Sequence, residues 1–198
     1  MIRKMSEKDA DAVYRLMCRV LDQHFEPEVI LYFMMQWPRG QYVSCDLFGN
    51  IDGFITGSRL SSGRVSVTLL GVDPRKRRTG IGSALLRSMR QAAAMEGFHT
   101  VQLEVRSDNT AVIEFYKRRG FSETERMPAY YTDGSDGLRM VSSVYYDCRN
   151  CSVEHLIVHD GLILQIIIGF GLLSPGYIFG DTALIRSVPF AYTVLHRS

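Results

Sequence analysis

Residues 64–106 constrain the fold of this chain more than any other stretch, because they run as strand, basic glycine turn, helix and strand without interruption. Arg64 to Val72 has the β-branched and apolar content of a strand, and Ile81 to Glu96 sets Ile81, Leu85, Leu86, Met89, Ala92 and Ala93 on one helical face before Gly97 ends it. Thr100 to Arg106 returns as a strand, in which Val101, Leu103 and Val105 alternate with Gln102, Glu104 and Arg106. Successive strand residues face opposite ways, so Glu104 is expected on a polar face opposite the apolar one.

The flanking sequence supplies the other elements. Ile2 to Met5 reads as a short strand, Ser6 and Asp9 as the cap and first-turn acid of a helix over Ala10 to Leu21, and His24 to Trp37 as a second helical pattern closed by Pro38 and Gly40. Two helices are thus expected ahead of the sheet. Gln41 to Asp46 and Ile51 to Ser58 form a hairpin through Gly49-Asn50, and with Arg64 to Val72 they make an antiparallel meander. Asn109 to Arg119 reads as a helix stopped by Gly120, followed by strands at Phe121 to Met127 and Leu138 to Tyr146. Strands first, then a strand-helix-strand unit, predict an α+β fold with a mixed, mostly antiparallel sheet flanked by helices.

The turn Arg77-Arg78-Thr79-Gly80-Ile81-Gly82 leaves backbone amides pointing outward at a helix N-terminus, which suits a pyrophosphate. Its glycines permit close backbone approach, and Arg75, Lys76, Arg77 and Arg78 add attraction. Taken alone, the loop reads equally as a solvated basic turn before a helix.

Its context extends further. LLGVDPRKRRTGIGSALL resembles the coenzyme A-binding motif of the GNAT N-acetyltransferases, Arg or Gln, two residues, Gly, one residue, Gly or Ala. Leu103-Glu104-Val105-Arg106, Asn109, Ala111, Phe115-Tyr116 and Gly120-Phe121 resemble the next block, and Tyr130-Tyr131-Thr132-Asp133-Gly134 a further one. The spacing from Val72 to Tyr116 is similar to that of the bacterial RimI enzymes, and the resemblance, which extends to the archaeal N-terminal protein acetyltransferases, covers residues 1 to about 146, most specifically Leu70 to Met140. The resemblance implies the GNAT fold and acetyl-CoA as acyl donor. Backbone at Leu70, Gly71 and Val72 is then expected to hold the pantetheine arm, and Arg78, Thr79, Gly80, Ile81, Gly82 and Ser83 to wrap the pyrophosphate, with Asn109 binding the donor as well. Glu104 matches the general base and Tyr116 the general acid. Phe25, Glu26, Tyr130 and Tyr131 fall where relatives contact substrate, the paired tyrosines favouring a peptide backbone, and Glu26 is a second candidate base.

The chemistry accords with those roles, since an amine must lose a proton before attacking a thioester and a thiolate leaves more readily once protonated. Direct transfer follows, with a backbone amide near Val72 steadying the oxyanion and no covalent intermediate. Tyr116 could equally be a half-buried helix residue and Glu104 a solvated strand residue. Cys18 and Cys45 lie outside these blocks and are expected as core thiols, and no metal is required.

Past Asp147 the resemblance ends. The chain is expected to divide into an acetyltransferase domain at 1–147 and an extension at 148–198, which carries no charged residue between Gly161 and Gly180. Packing or homodimerisation through a hairpin at Asp160-Gly161 is one reading. Membrane contact is another, weakened by Gln165, Pro175 and five glycines from Gly161 to Gly180. A zinc site from Cys148, Cys151, His155 and His159 is a third.

A net charge of +2 with 22% charged residues argues against nucleic acid as a partner, and the absence of an apolar run before Asp9 and Asp11 argues for a cytoplasmic address. The expected function is acetylation of protein N-termini. The rivals are a GNAT acting on a small amine or a lysine side chain, and a non-catalytic acyl-CoA-binding module.

Overall fold

The computed structural model describes residues 1–21, 25–61 and 63–145. In chain order they form β1 (Ile2–Lys4), α1 (Ala10–Val20), α2 (Val29–Gln36), β2 (Tyr42–Cys45), β3 (Ile51–Arg59), β4 (Arg64–Val72), α3 (Ile81–Met95), β5 (Thr100–Arg106), α4 (Thr110–Lys117), β6 (Ser122–Met127) and β7 (Gly137–Ser143). The seven strands make one sheet in the order β1-β2-β3-β4-β5-β7-β6, antiparallel throughout except for the parallel pair β4 and β5. The expected α+β class, the meander and the strand-helix-strand unit are all present, β4 and β5 at their expected limits. The first strand is part of the sheet and not a preface to it: Ile2 lies opposite Ser44 and Lys4 opposite Tyr42.

Two apolar cores sit on opposite faces of the sheet. Phe54 and Ile55 are adjacent on β3 and so point opposite ways. Phe54 joins Val13, Leu16 and Met17 of α1 and Val29, Ile30 and Phe33 of α2, whereas Ile55 joins Leu85, Leu86 and Met89 of α3 and Ile113 and Tyr116 of α4. Helix α1 begins where the sequence places it, because the Ser6 amide and hydroxyl both donate to the Asp9 carboxylate at 2.8 Å and Arg3 donates to its two oxygens at 2.7 Å. Helix α2 starts at Val29, the first residue of its apolar pattern, and ends at Gln36, so it is shorter than the expected segment from His24 to Trp37; Pro27 restricts Glu26 before it, and His24 lies outside the described residues. Of the two expected core thiols, Cys45 is buried but Cys18 is exposed, because α1 turns it away from the stripe formed by Val13, Leu16 and Met17.

One irregularity governs the middle of the sheet. Thr56 faces Leu69 while the next residue, Gly57, faces Val67, so Thr68 is an extra residue in β4. Its hydroxyl donates to the Thr56 carbonyl at 2.9 Å and shares a 2.8 Å contact with the Thr56 hydroxyl, pinning the bulge. Thr56 is fully buried, so Thr68→Val strands its hydroxyl. The loss expected in chemical or thermal unfolding is about 1–3 kcal/mol.

The expected domain boundary near Asp147 and the whole extension, with its hairpin, its dimer contact and the residues Cys148, Cys151, His155 and His159, lie outside the described residues. Among the described residues, no helix is long and apolar enough to cross a membrane and no group of His, Cys, Asp or Glu is placed to hold a metal ion.

Candidate active site

The bulge at Thr68 opens a cleft. β4 pairs with β5 only from Arg64 opposite Thr100 to Val67 opposite Leu103, although β4 runs on to Val72 and β5 to Arg106. Beyond the extra residue the two strands separate, leaving the facing edges of Thr68–Val72 and Glu104–Arg106 without partners in the sheet. Leu70, Gly71 and Val72, expected to hold an extended arm, lie on that edge. A Cβ at Gly71 would stand 2.4 Å from the Phe54 ring and 2.8 Å from Val20, so α1 packs against the strand where it frames the cleft.

At the mouth of the cleft the basic turn is bent into an anion-binding shape. Asp73 accepts from the amide and guanidinium of Arg75, which, with Arg19 nearby, hold its carboxyl down at about 2. Thr79 ties its hydroxyl to the Lys76 carbonyl at 2.6 Å. Arg78 and Gly80 both take positive φ, 64° and 90°, and α3 starts with no side chain capping it. The first amides of a helix have no intrahelical acceptor, so those of Ile81, Gly82 and Ser83 remain as donors, beside the exposed cations of Arg77 and Arg78. Backbone amides, a helix N-terminus and flanking guanidinium groups are a donor set that fits a pyrophosphate. Asn109 has a local task too: its Oδ1 accepts from the Val112 amide at 3.2 Å and caps α4.

Glu104 comes from β5, on the half-exposed face the alternation predicts. Gln102 Nε2 donates to Glu104 Oε1 at 2.7 Å and Arg139 Nε to the same oxygen at 3.0 Å. Both bonds fall on Oε1, so Oε2 has no donor among the described residues. Arg139 stands directly opposite Glu104 in the β5–β7 register and also bonds Glu125. Arg139 is not legible from the sequence, since a cross-strand partner depends on register, whereas Gln102 is visible there as a same-face neighbour.

Tyr116 lies deeper, packed edge-on against Phe115 and Phe121 with ring centroids 5.0 and 5.3 Å away. Phe115 in turn touches the Gly82 position at van der Waals distance, which places α4 against the start of α3. Burial pushes the Tyr116 phenol well above its ordinary value; nearby Arg119 opposes this and Tyr131 adds to it. The phenol is therefore protonated across the physiological range.

Tyr130 and Tyr131 sit in the turn between β6 and β7, rings 5.1 Å apart and nearly perpendicular. Tyr130 lies flat on Gly137, whose Cβ position is 2.9 Å from the ring, and burial together with the Glu104 charge raises its phenol. Tyr131 stacks on the Arg106 guanidinium at 4.4 Å. Arg106 also bonds Asp133 at 2.7 Å, and Asp136 accepts from the Ala129 amide at 3.0 Å, so this turn is fixed in advance. Ser135 and Arg106 hold the Asp133 carboxyl down at about 2. Phe25 and Glu26 lie in the connection between α1 and α2: Phe25 packs on the α1–α2 core, and its carbonyl accepts from the Tyr14 hydroxyl at 3.0 Å. Glu26 is exposed and its charge reaches Tyr14.

The separated parallel strands, the amide-rich turn at the start of α3 and the carboxylate on β5 occur together in a chain whose residues 10–121 match the acetyltransferase (GNAT) family. The chain belongs to that family. GNAT enzymes take their acetyl group from acetyl-CoA, and the N-acetyltransferase assignment follows. The GNAT domain is 33% identical over 141 residues to an uncharacterized N-acetyltransferase of Methanocaldococcus jannaschii, covering 71% of this chain and 89% of that protein. It is 27% identical over 132 residues to N-alpha-acetyltransferase 30 of Schizosaccharomyces pombe, covering 65% and 88%. Among solved structures it superposes on Ard1 from Thermoplasma volcanium with a TM-score of 0.69 at 36% identity, covering 72% of this chain and 96% of that one.

Proposed function

We propose that this GNAT enzyme acetylates the α-amino group of protein N-termini. The observation that carries the reading is the fixed Tyr130-Tyr131 turn set beside Glu104, an aromatic wall next to a carboxylate that keeps one oxygen open. The likeness to an enzyme named N-alpha-acetyltransferase supports it.

Acetyl-CoA supplies the acetyl group as a thioester. Glu104 Oε2 takes a proton from the incoming ammonium, directly or through one water, and the freed amine forms the new C–N bond at the thioester carbonyl. The amides on the open edge of β4 near Val72 donate to the oxygen on which charge gathers. As the C–S bond breaks, Tyr116 gives its proton to the departing sulfur; the nitrogen sheds the one proton it holds beyond the amide product, Tyr116 regains a proton in its place, and Glu104 returns the proton it first took to solvent. Arg139 and Gln102 hold Glu104 by Oε1, which keeps Oε2 turned to the acceptor.

The Tyr14 hydroxyl anchors the Phe25 carbonyl, so it positions the loop carrying Glu26. Tyr14→Phe removes one hydrogen bond of about 1 kcal/mol. It is expected to raise KM for peptide about fivefold while leaving KM for acetyl-CoA unchanged, as measured by initial rates with each substrate varied.

The test of the function is thiol release from acetyl-CoA with short peptides bearing free or blocked N-termini, alongside spermidine and a lysine-containing peptide. Release that demands a free α-amine is the expected result. Release with only spermidine or lysine would point to a small-amine or side-chain acceptor, and binding of acetyl-CoA without turnover on any acceptor to a non-catalytic module.

A further inference from the structure

A basic cavity adjoins the turn before α3. Ser83, Leu86, Arg87, Arg118 and Arg119 line an open cavity of about 240 Å³ between the first turns of α3 and the end of α4. Its three guanidinium groups are in different situations. Arg119 is fixed: its Nε donates to Ser83 Oγ at 3.0 Å, it also bonds the Phe115 carbonyl, and its plane lies 3.6 Å from the centre of the Phe115 ring. Arg87 and Arg118 are exposed and pair with no carboxylate among the described residues, unlike Arg3, Arg59, Arg75, Arg106, Arg126 and Arg139, each of which has at least one. Positive charge left unneutralised around one concavity is a site for a compact anion, and a guanidinium suits phosphate oxygens because it can donate two parallel hydrogen bonds.

The position narrows the ligand. Ser83 belongs both to the amide-rich start of α3 and to this cavity, so the cavity lies within reach of a group that adjoins a pyrophosphate seated on the turn. In coenzyme A the pyrophosphate is followed by a ribose that bears a 3′-phosphate, a group carrying close to two negative charges at neutral pH. We infer that Arg87 and Arg118, with Arg119 as the fixed wall, bind the 3′-phosphate of acetyl-CoA and make the enzyme discriminate against donors that lack it. The inference rests on the acetyl-CoA assignment and is independent of which amine is acetylated.

Calorimetric titration with coenzyme A and with 3′-dephospho-coenzyme A separates this site from the pyrophosphate turn, with no acceptor present. The parent enzyme is expected to bind coenzyme A at least about tenfold more tightly, a preference that shrinks as salt is raised because two of the three cations are exposed. Arg87→Gln combined with Arg118→Gln should abolish the preference while leaving the affinity for the dephosphorylated ligand within about twofold. Both side chains are exposed, and the thermal unfolding temperature of the variant should match that of the parent. Equal binding of the two ligands by the parent overturns the inference, as does a double variant that keeps the tenfold preference or loses affinity for both ligands alike. If the parent binds neither ligand, the acetyl-CoA assignment falls with it.

Discussion

Glu104→Gln is expected to lower kcat/KM for acetylation by about 10²- to 10⁴-fold, the range in which a positioned general base contributes. The amide keeps the shape and still accepts from Gln102 and Arg139, so the cross-strand arrangement survives. What it loses is the basicity of Oε2. The loss should shrink as pH rises and the acceptor amine deprotonates without help, because the substrate then reaches the cleft already neutral. Rates measured from pH 6 to pH 10 with one peptide give the test: a parent and variant that differ by the same factor at every pH would show that Glu104 acts by binding and not by taking a proton. Affinity for acetyl-CoA should be unchanged in either case, since the amides and cations proposed to hold that ligand's phosphates lie on α3, the turn before it and the end of α4, and not on β5. Should the variant retain activity within a few-fold of the parent throughout, the base lies elsewhere, and Glu26 on the α1–α2 connection becomes the next carboxylate to replace.

Most of the fold was readable because its signals are local. The period of α3, the alternation of β5 and the glycines at 97 and 120 each report on a few neighbouring residues, and those elements formed where the pattern placed them. The cleft was not readable. It depends on the register of β3 against β4, where Thr68 is the extra residue, and nothing in the run Val67-Thr68-Leu69 marks a bulge until the partner strand is in place. The same limit hid Arg139, which meets Glu104 only because Glu104 and Arg139 face each other across the β5–β7 pair. Cys18 shows the opposite failure, a small apolar residue on a helix whose buried stripe passes it by. Glycine-rich motif and carboxylate were therefore visible as residue types, while the gap that makes them a site is a property of strand pairing.

Tyr116→Phe carries the other large expected effect, a fall in kcat of about 10²-fold or more, with little change in the KM for peptide. The substitution removes only the hydroxyl. Its edge-on contacts with Phe115 and Phe121 persist, so stability near neutral pH should hold. Above that the two proteins should part in a defined direction. The phenol is raised in the folded state and titrates near 10 when unfolded, so the stability it confers is complete below pH 10 and is lost as pH rises past that value. Denaturant unfolding from pH 8 to pH 11 should show the parent weakening more steeply than Tyr116→Phe. The same raised phenol predicts that kcat in the parent has no alkaline limb from this group below about pH 10, because the proton needed by the departing sulfur is still in place there. A variant with undiminished kcat would remove Tyr116 from proton transfer and leave it a core aromatic, whereas lost kcat with an unchanged pH–stability difference would place the proton donor at Tyr116 but the alkaline sensitivity of the fold elsewhere.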